Sequence, residues 1–343
     1  MYELLNVLYV QKQGAVLHLD HDTVKVVVDG ETRLRVPLLR LQGIVVFGQV
    51  TITPFLIHRC ADDGREVVWM TGFGRYKAQL SGPVAGNVLL RRAQHLALSD
   101  SRRTLQMARQ FVASKLQNSG IQLLRSSRDA GSERDREALA AAAGALVPIL
   151  ERLPQTEDLN QVRGAEGEAA SIYFDVFSSM VRGRRTVFSF RGRSRRPPQD
   201  PVNALISFLY SLLTSECAAA LAGVGLDPQV GYLHTLRPGR PALALDLVEE
   251  LRAAIADRLA LTLINRNQLQ EKHFETTPGN GVYLTEDGRS IVLKAYQERK
   301  EVEIEHRVLK QKIALGLVPH VQARLLARHL RGDLEHYIPF VHR

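Results

Sequence analysis

A chain of 343 residues is long enough for roughly two domains, and its 45% hydrophobic content allows sizeable cores to be buried. Its 45 Lys and Arg against 36 Asp and Glu leave a net charge of +9 and a pI near 9.7, which favours polyanionic partners only where the excess is concentrated. Two distant cysteines, Cys60 and Cys217, exclude a disulfide framework and a zinc cluster. Glu3 and the polar turn of the sequence at Gln11 do not fit a signal peptide, and the longest apolar run, Leu139–Leu150, is too short for a bilayer. The expectation is a soluble, cytoplasmic protein with free thiols and no membrane association.

Up to about Ser81 the chain reads as β. Short runs rich in β-branched residues, Leu4–Val10, Ala15–Leu19, Thr23–Val28 and Thr32–Val36, are separated by turn residues such as Asp29-Gly30. Gly43–Phe47 suits a buried strand, Thr53-Pro54 opens a short helix through Ala61, and Glu66–Met70 and Tyr76–Leu80 complete about seven strands. From Val84 the periodicity is helical. Helices are expected over Asn87–Leu116, Glu133–Leu153, Asp158–Arg182 and Asp200–Gly223, with a polar loop at Ser126–Ser132. A fifth begins near Pro241, Val282–Lys294 reads as a hairpin turning at Asp287-Gly288, and two more helices follow.

Three stretches carry residues suited to chemistry. In Gly231–Arg252, His234 precedes a loop with Pro238, Gly239 and Pro241, and then a helix on which Asp246 and Glu249 share a face. An imidazole and two carboxylates suit a divalent ion such as Mg or Mn; a loop histidine beside a solvated acidic face fits the same residues. Glu166 is followed by the small residues Gly167, Ala169 and Ala170, which allow close approach, although an acid early in a helix also compensates the dipole. Seven arginines, Arg182, Arg184, Arg185, Arg191, Arg193, Arg195 and Arg196, fall within Val181–Arg196 without an acid. Phe188 and Phe190 are interleaved, and Pro197-Pro198 ends the run. Mutual repulsion predicts that this loop does not fold on itself, and guanidinium forks fit phosphate oxygens, so it reads as a nucleic-acid contact rather than a merely soluble loop. No GxxxxGK[ST], GxSxG or HExxH occurs, which leaves an ATP-driven motor and the commonest hydrolase and zinc-peptidase chemistries unsupported.

Together these stretches resemble the larger, universal integrase family of CRISPR adaptation, which inserts spacers into the repeat array. The resemblance rests on Glu166 within EGEAASIYF, on FRGRSRRPPQDPVNALISFLYSLL from Phe190, on His234 and the helix of Asp246 and Glu249, and on QARLLARHLRGDLEHYIPF from Gln322. It covers essentially the whole chain, and the Arg-Arg-Pro-Pro run and the length resemble the type I-C subtype. The fold it implies is α+β: a small β-rich dimerisation domain over residues 1–82 followed by a larger all-helical catalytic domain over 83–343. It implies Mg2+ or Mn2+ held by Glu166, His234 and Glu249, with Asp246 beside them. Several members carry aspartate where Glu249 stands, so Asp246 and Glu250 are neighbouring candidates for the metal bond. The implied partners are double-stranded DNA (spacer precursor and repeat array), a second copy in a homodimer, and a small ferredoxin-like partner that completes a heterohexamer.

The implied reaction is transesterification, in which a DNA 3′-hydroxyl attacks a phosphodiester at the repeat edge and displaces the old 3′-oxygen. Water in place of the hydroxyl would give endonuclease activity at the same site. Asp246 would orient the histidine. The arginine loop, with Arg91, Arg92, Arg102 and Arg103, would neutralise phosphates. A metal-dependent DNase or junction-cleaving repair enzyme, and a non-catalytic DNA-binding scaffold, are the other readings of these residues.

Overall fold

The computed structural model describes residues 2–4, 7–41, 43–73, 76–80, 88–182 and 185–342; the expected boundary at 82/83 and Arg184 lie outside them. The chain divides into two compact units, Met1–Ala85 and Gly86–Arg343.

In the first unit the described strands are β1 (Tyr2–Leu4), β2 (Val7–Val10), β3 (Val16–Asp20), β4 (Thr23–Val28), β5 (Glu31–Pro37), β6 (Gly43–Phe47), β7 (Thr51–Ile52), β8 (Glu66–Met70) and β9 (Tyr76–Gln79), with α1 over Pro54–Asp62. They form a five-stranded sheet in the order β1-β2-β6-β8-β9 and a four-stranded sheet in the order β5-β4-β3-β7. β6 is buried along its whole length because it runs parallel between β2 and β8. β4 alternates, burying Val24, Val26 and Val28 on one face. Side chains of both sheets share one core, closed by Leu56 and Cys60 of α1. Two strands more than expected are present. Leu4–Val10 is divided into the antiparallel pair β1 and β2, and β7, at two residues, is too short to show a period.

The second unit is mostly helical: α2 (Val88–Ser99), α3 (Ser101–Arg128), α4 (Glu133–Arg152), α5 (Leu159–Asp175), α6 (Pro201–Gly223), α7 (Ala242–Glu249), α8 (Arg258–Asn265), α9 (Glu286–Glu301) and α10 (Val318–Arg331). Two antiparallel hairpins interrupt it, β10 (Phe274–Thr276) with β11 (Val282–Leu284), and β12 (Glu303–His306) with β13 (Gln311–Ala314). α6 is long and apolar enough to cross a membrane by length and composition, and 67% of that window is buried inside the protein, as befits a core helix.

Four helix boundaries differ from expectation, three of them through a cap; the fourth is the end of the helix expected over Asp158–Arg182, which stops at Asp175 ahead of a single 3-10 turn at Phe177–Met180. Asp100 accepts hydrogen bonds from the amides of Arg102 and Arg103, which ends α2 and starts α3 inside the expected helix Asn87–Leu116. α3 then continues to Arg128, through half of the expected polar loop, before Ser132 caps α4. The expected hairpin at Asp287-Gly288 is instead the first turn of α9. There Thr285 caps Gly288, and Glu286 and Asp287 complement the dipole. Gly288 is required by close packing rather than by a turn, since a Cβ would lie 2.4 Å from the His273 carbonyl oxygen.

Candidate active site

Asp246 is fully buried on α7 and accepts three consecutive backbone amides, from Tyr232 at 2.6 Å, Leu233 at 3.0 Å and His234 at 2.9 Å. This wraps the 231–234 segment around one carboxylate. The wrap needs Gly231: a Cβ there would meet the Ala242 carbonyl carbon at 2.6 Å and Asp246 Oδ2 at 2.8 Å. From the other side, Gln94 of α2 donates to the carbonyls of Asp227 and Val230, and Arg163 of α5 donates to that of Leu233 at 2.8 Å.

The same carboxylate receives His234 Nδ1 at 2.7 Å. An acceptor at Nδ1 fixes the proton there and leaves Nε2 with its lone pair, 3.7 Å from Glu249 Oε1. Asp246 and Glu249 thus share the face of α7 that meets His234. Asp246 is saturated by four donors, so it orients the ring and has no capacity to spare.

Glu249 ends α7 and is 2% exposed. A π-helical segment, Arg252–Asp257, follows directly. It brings Arg252 Nη1 to 2.5 Å from Glu249 Oε1 and sets that guanidinium over the Tyr210 ring at 4.9 Å. Burial would raise the Glu249 carboxyl, but Arg252 and then Lys115 outweigh it and hold it well below the usual carboxylate range. Glu250 points the opposite way. It is bound by Tyr337 Oη at 2.5 Å, Gln322 Nε2 at 2.9 Å and the Phe340 amide at 2.7 Å, and burial pushes its carboxyl up to about 8. It belongs to the packing of the 337–342 segment, away from His234.

Glu166 lies midway along α5, 29% exposed, with open space beside Gly164 and Gly167, where a Cβ would meet nothing within 4 Å. Its companion Glu168 leaves in another direction to pair with Arg152. Glu166 and Glu249 are joined by Lys115 of α3, which bonds Glu166 Oε1 and lies 2.9 Å from Glu249 Oε2. Sequence reading did not single out Lys115. It sits amid a polar helix stretch with no local motif, and only the packing of α3 on α5 and α7 reveals it.

Among the described residues, no three of His, Cys, Asp and Glu are gathered closely enough to hold a metal ion as they stand. The donor set nonetheless fits one. Two carboxylates converge on a single cationic group, Glu249 Oε2 is buried without a well-directed hydrogen bond, and the free imidazole nitrogen faces Glu249.

Basic residues lie beside the His234 segment: Arg163 donates to the Leu233 carbonyl. Burial lowers the Arg240 guanidinium, and so do the nearby charges of Arg237, Arg163 and Arg196, which places the arginine loop beside the His234 segment. The loop itself corrects the expectation that it cannot fold. Phe188 and Phe190 are buried, with the Phe190 ring tilted against Phe177 at 5.1 Å between centroids and Phe188 edge-on to Phe274, so these aromatics anchor the loop. Asn203 of α6 binds the Gly192 carbonyl, the Ser194 amide and Arg193. Arg193 is turned inward, bonded to Asn203 and Ser207 and set 5.5 Å over Tyr210. Arg185 pairs with Asp135 at 2.7 Å, and Arg182 donates to the Asp129 carbonyl. Arg191, Arg195 and Arg196 remain exposed and make no hydrogen bond or ion pair to another described residue. The signal for Arg193 was Asn203, a polar residue in the apolar first turns of α6 and fully buried there, since buried polar groups need partners.

The family model described as CRISPR associated protein Cas1 matches residues 8–298. The chain belongs to the Cas1 family. It is 52% identical over 343 residues to the CRISPR-associated endonuclease Cas1 1 of Moorella thermoacetica, covering 100% of both chains. It is 48% identical over 344 residues to the CRISPR-associated endonuclease Cas1 2 of Rhodospirillum rubrum, covering 99% of each. Among solved structures, the Cas1 protein TM1797 of Thermotoga maritima superposes with TM-score 0.81 at 24% identity, over 95% of this chain and 97% of that one. A casposase bound to integration product gives TM-score 0.83 at 22% identity, over 96% and 92%. A chain of a Cas6-RT-Cas1–Cas2 complex gives TM-score 0.82 at 21% identity, over 97% of this chain and 36% of that one. These three likenesses establish the Cas1 fold.

Proposed function

We propose that this Cas1 protein inserts spacer DNA into the repeat array of CRISPR adaptation by transesterification, and cuts DNA at the same site when water replaces the 3′-hydroxyl. The observation that carries the reading is the convergence of Glu166 and Glu249 on one cationic group, with the free Nε2 of His234 facing Glu249. Glu166, His234 and Glu249 would hold Mg2+ or Mn2+, and the bound ion would polarise the scissile phosphate and favour ionisation of the attacking hydroxyl. Asp246 holds Nδ1 and so directs Nε2 of the neutral imidazole toward Glu249 as the ligating nitrogen. Arg252 keeps Glu249 ionised against its burial. Arg191, Arg195 and Arg196 supply phosphate contacts to the DNA on its way to these groups.

Relatives and neighbours support the partners. The full-length relatives are named endonucleases, and one structural neighbour was solved on an integration product. Another belongs to a Cas6-RT-Cas1–Cas2 complex, which supports a Cas2 partner; in this proposal that partner is the small ferredoxin-like protein, and it joins a homodimer of this chain in a heterohexamer. The Arg195–Pro198 run and the 343-residue length support the type I-C subtype, and a cellular DNA substrate goes with a cytoplasmic location.

The test is a Mn2+ reaction on labelled duplexes with recessed 3′-hydroxyls. Wild type is expected to give strand-transfer products. Glu166→Ala and His234→Ala should retain DNA affinity and lose transfer by more than the about 10- to 100-fold that an outer-sphere partner is worth. Shortened fragments alone would indicate a DNase, binding without products a scaffold, and transfer surviving in either variant would remove these residues from the site.

A further inference from the structure

The arginine loop has a support besides Asn203, and it comes from outside the helices. β10 and β11 pair antiparallel, with Phe274 opposite Leu284 and Thr276 opposite Val282. Two residues of strand separate these pairs, roughly 7 Å. At the first pair Phe274 meets Phe188 edge-on, the ring centroids 5.9 Å apart. At the second the Val282 amide donates to the Pro198 carbonyl at 2.8 Å. One hairpin therefore touches the chain on both sides of the exposed Arg191, Arg195 and Arg196.

The hairpin is itself held at both ends. Its base sits on the start of α9, where the Thr285 amide donates to the His273 carbonyl at 3.0 Å and Arg289 Nη1 donates to the Leu284 carbonyl at 2.6 Å. Its turn is closed by Thr277, whose amide and hydroxyl donate to the Gly281 carbonyl at 2.8 and 3.1 Å. Gly281 is buried and its φ lies outside the left-handed region, so backbone freedom does not account for it. Close approach does. A Cβ there would lie 2.8 Å from Tyr283 Cε2 and 2.9 Å from Pro197 Cβ. The far end of a tyrosine can swing aside, but the proline ring closes on its own backbone and moves only with the chain that carries Arg195 and Arg196. Gly279 differs: a Cβ there would meet no atom of the described residues within 4 Å.

We propose that the β10–β11 hairpin is a brace that holds the loop's arginines in their DNA-binding arrangement, and that Gly281 positions Arg195 and Arg196 through its contact with Pro197. Gly281 bears no charge and acts only through its neighbour. Guanidinium forks reward fixed geometry, and a support set before binding spares the loop the ordering cost that a loose strand would meet on the DNA. The bracing follows from the contacts alone; that the braced arginines meet DNA phosphates rests on the proposed function.

The experiment compares Gly281→Ala with Gly279→Ala in the full chain. Hydrogen exchange over residues 190–199 is measured without DNA, and the affinity for a labelled duplex is measured over a salt series. Gly281→Ala should exchange faster across that stretch, and its salt slope should fall by up to about 1.8, at about 0.9 for each of two displaced arginines. Gly279→Ala should match wild type in both. In a chain already carrying Arg195→Gln and Arg196→Gln, Gly281→Ala should lower the slope no further, since effects on one shared contact do not add. Equal behaviour of the two glycine variants, or exchange unchanged by Gly281→Ala, would overturn the brace. A slope lowered by the arginine changes but not by Gly281→Ala would overturn the positioning role, and so would a further fall in the arginine background, which would put the hairpin itself on DNA. Faster exchange in Gly281→Ala, with a slope that neither it nor the arginine changes alter, would uphold the brace and count against DNA as what the loop binds. Should Gly281→Ala fail to fold, Phe274→Leu, which removes the ring contact with Phe188 and keeps an apolar side chain, should quicken exchange over the same stretch and lower the slope; a wild-type result would overturn the brace.

Discussion

Lys115 does for Glu166 and Glu249 what a divalent ion would do: it brings one cation between two carboxylates. An ion entering the site must displace that ammonium or share the acids with it. Lys115→Met, which keeps the stem and removes the charge, should therefore raise Mn2+ affinity by about tenfold, the factor equivalent to about 1.4 kcal/mol. Electron paramagnetic resonance of free Mn2+ measures this directly, and an unchanged affinity would show that lysine and ion do not compete. At this scale the sequence is informative where partners are close along the chain. His234, Asp246 and Glu249 span one loop and two helical turns, so their shared face follows from spacing. Lys115 and Glu166 are 51 residues apart, and nothing local marks the lysine. Likewise no rule of composition separates inward Arg193 from outward Arg195; only the Asn203 and Ser207 it satisfies do so.

Among elements, the arginine loop changes most in meaning. Its aromatic residues and Asn203 hold it in place, so its exposed arginines are presented by a folded support rather than by a loose strand. Replacing Arg191, Arg195 and Arg196 together with Gln should reduce the salt slope of DNA binding by up to about 2.7, at about 0.9 for each phosphate no longer neutralised. Fluorescence anisotropy over a salt series reads it, and an unchanged slope would take the loop out of the DNA path. Helix caps account for the elements that periodicity alone misplaces. The Asp287-Gly288 pair is a strong hairpin signal by itself, yet Thr285 three residues before Gly288 makes it a helix start. β4, with its alternation, and β6, a continuous apolar run, are legible as strands, whereas the two-residue β7 carries no pattern at all.

For the molecule as a whole, the buried Glu250 network ties the 337–342 segment to the residue that follows Glu249. Its carboxyl is raised from 4.5 to about 8, so the folded state keeps a proton that the unfolded state releases above 4.5. Stability from this group is complete below pH 4.5, falls as pH rises, and is gone above about 8. Glu250→Gln, which mimics the protonated form, should flatten the pH dependence of the melting temperature across that window. An unaltered profile would mean that Glu250 does not titrate there.

The same network has a consequence for the order of events in synthesis. Ser114 and Asn118 flank Lys115 on α3 and bind the Phe340 carbonyl, while the His342 amide returns to Asn118. The helix that brings Lys115 to the acids is thus seated by residues translated more than two hundred positions later. A nascent chain on the ribosome that already carries Glu166, His234 and Glu249 still lacks this seat, so the helix that presents Lys115 to the two acids gains its Phe340 and His342 contacts only once those residues have been made.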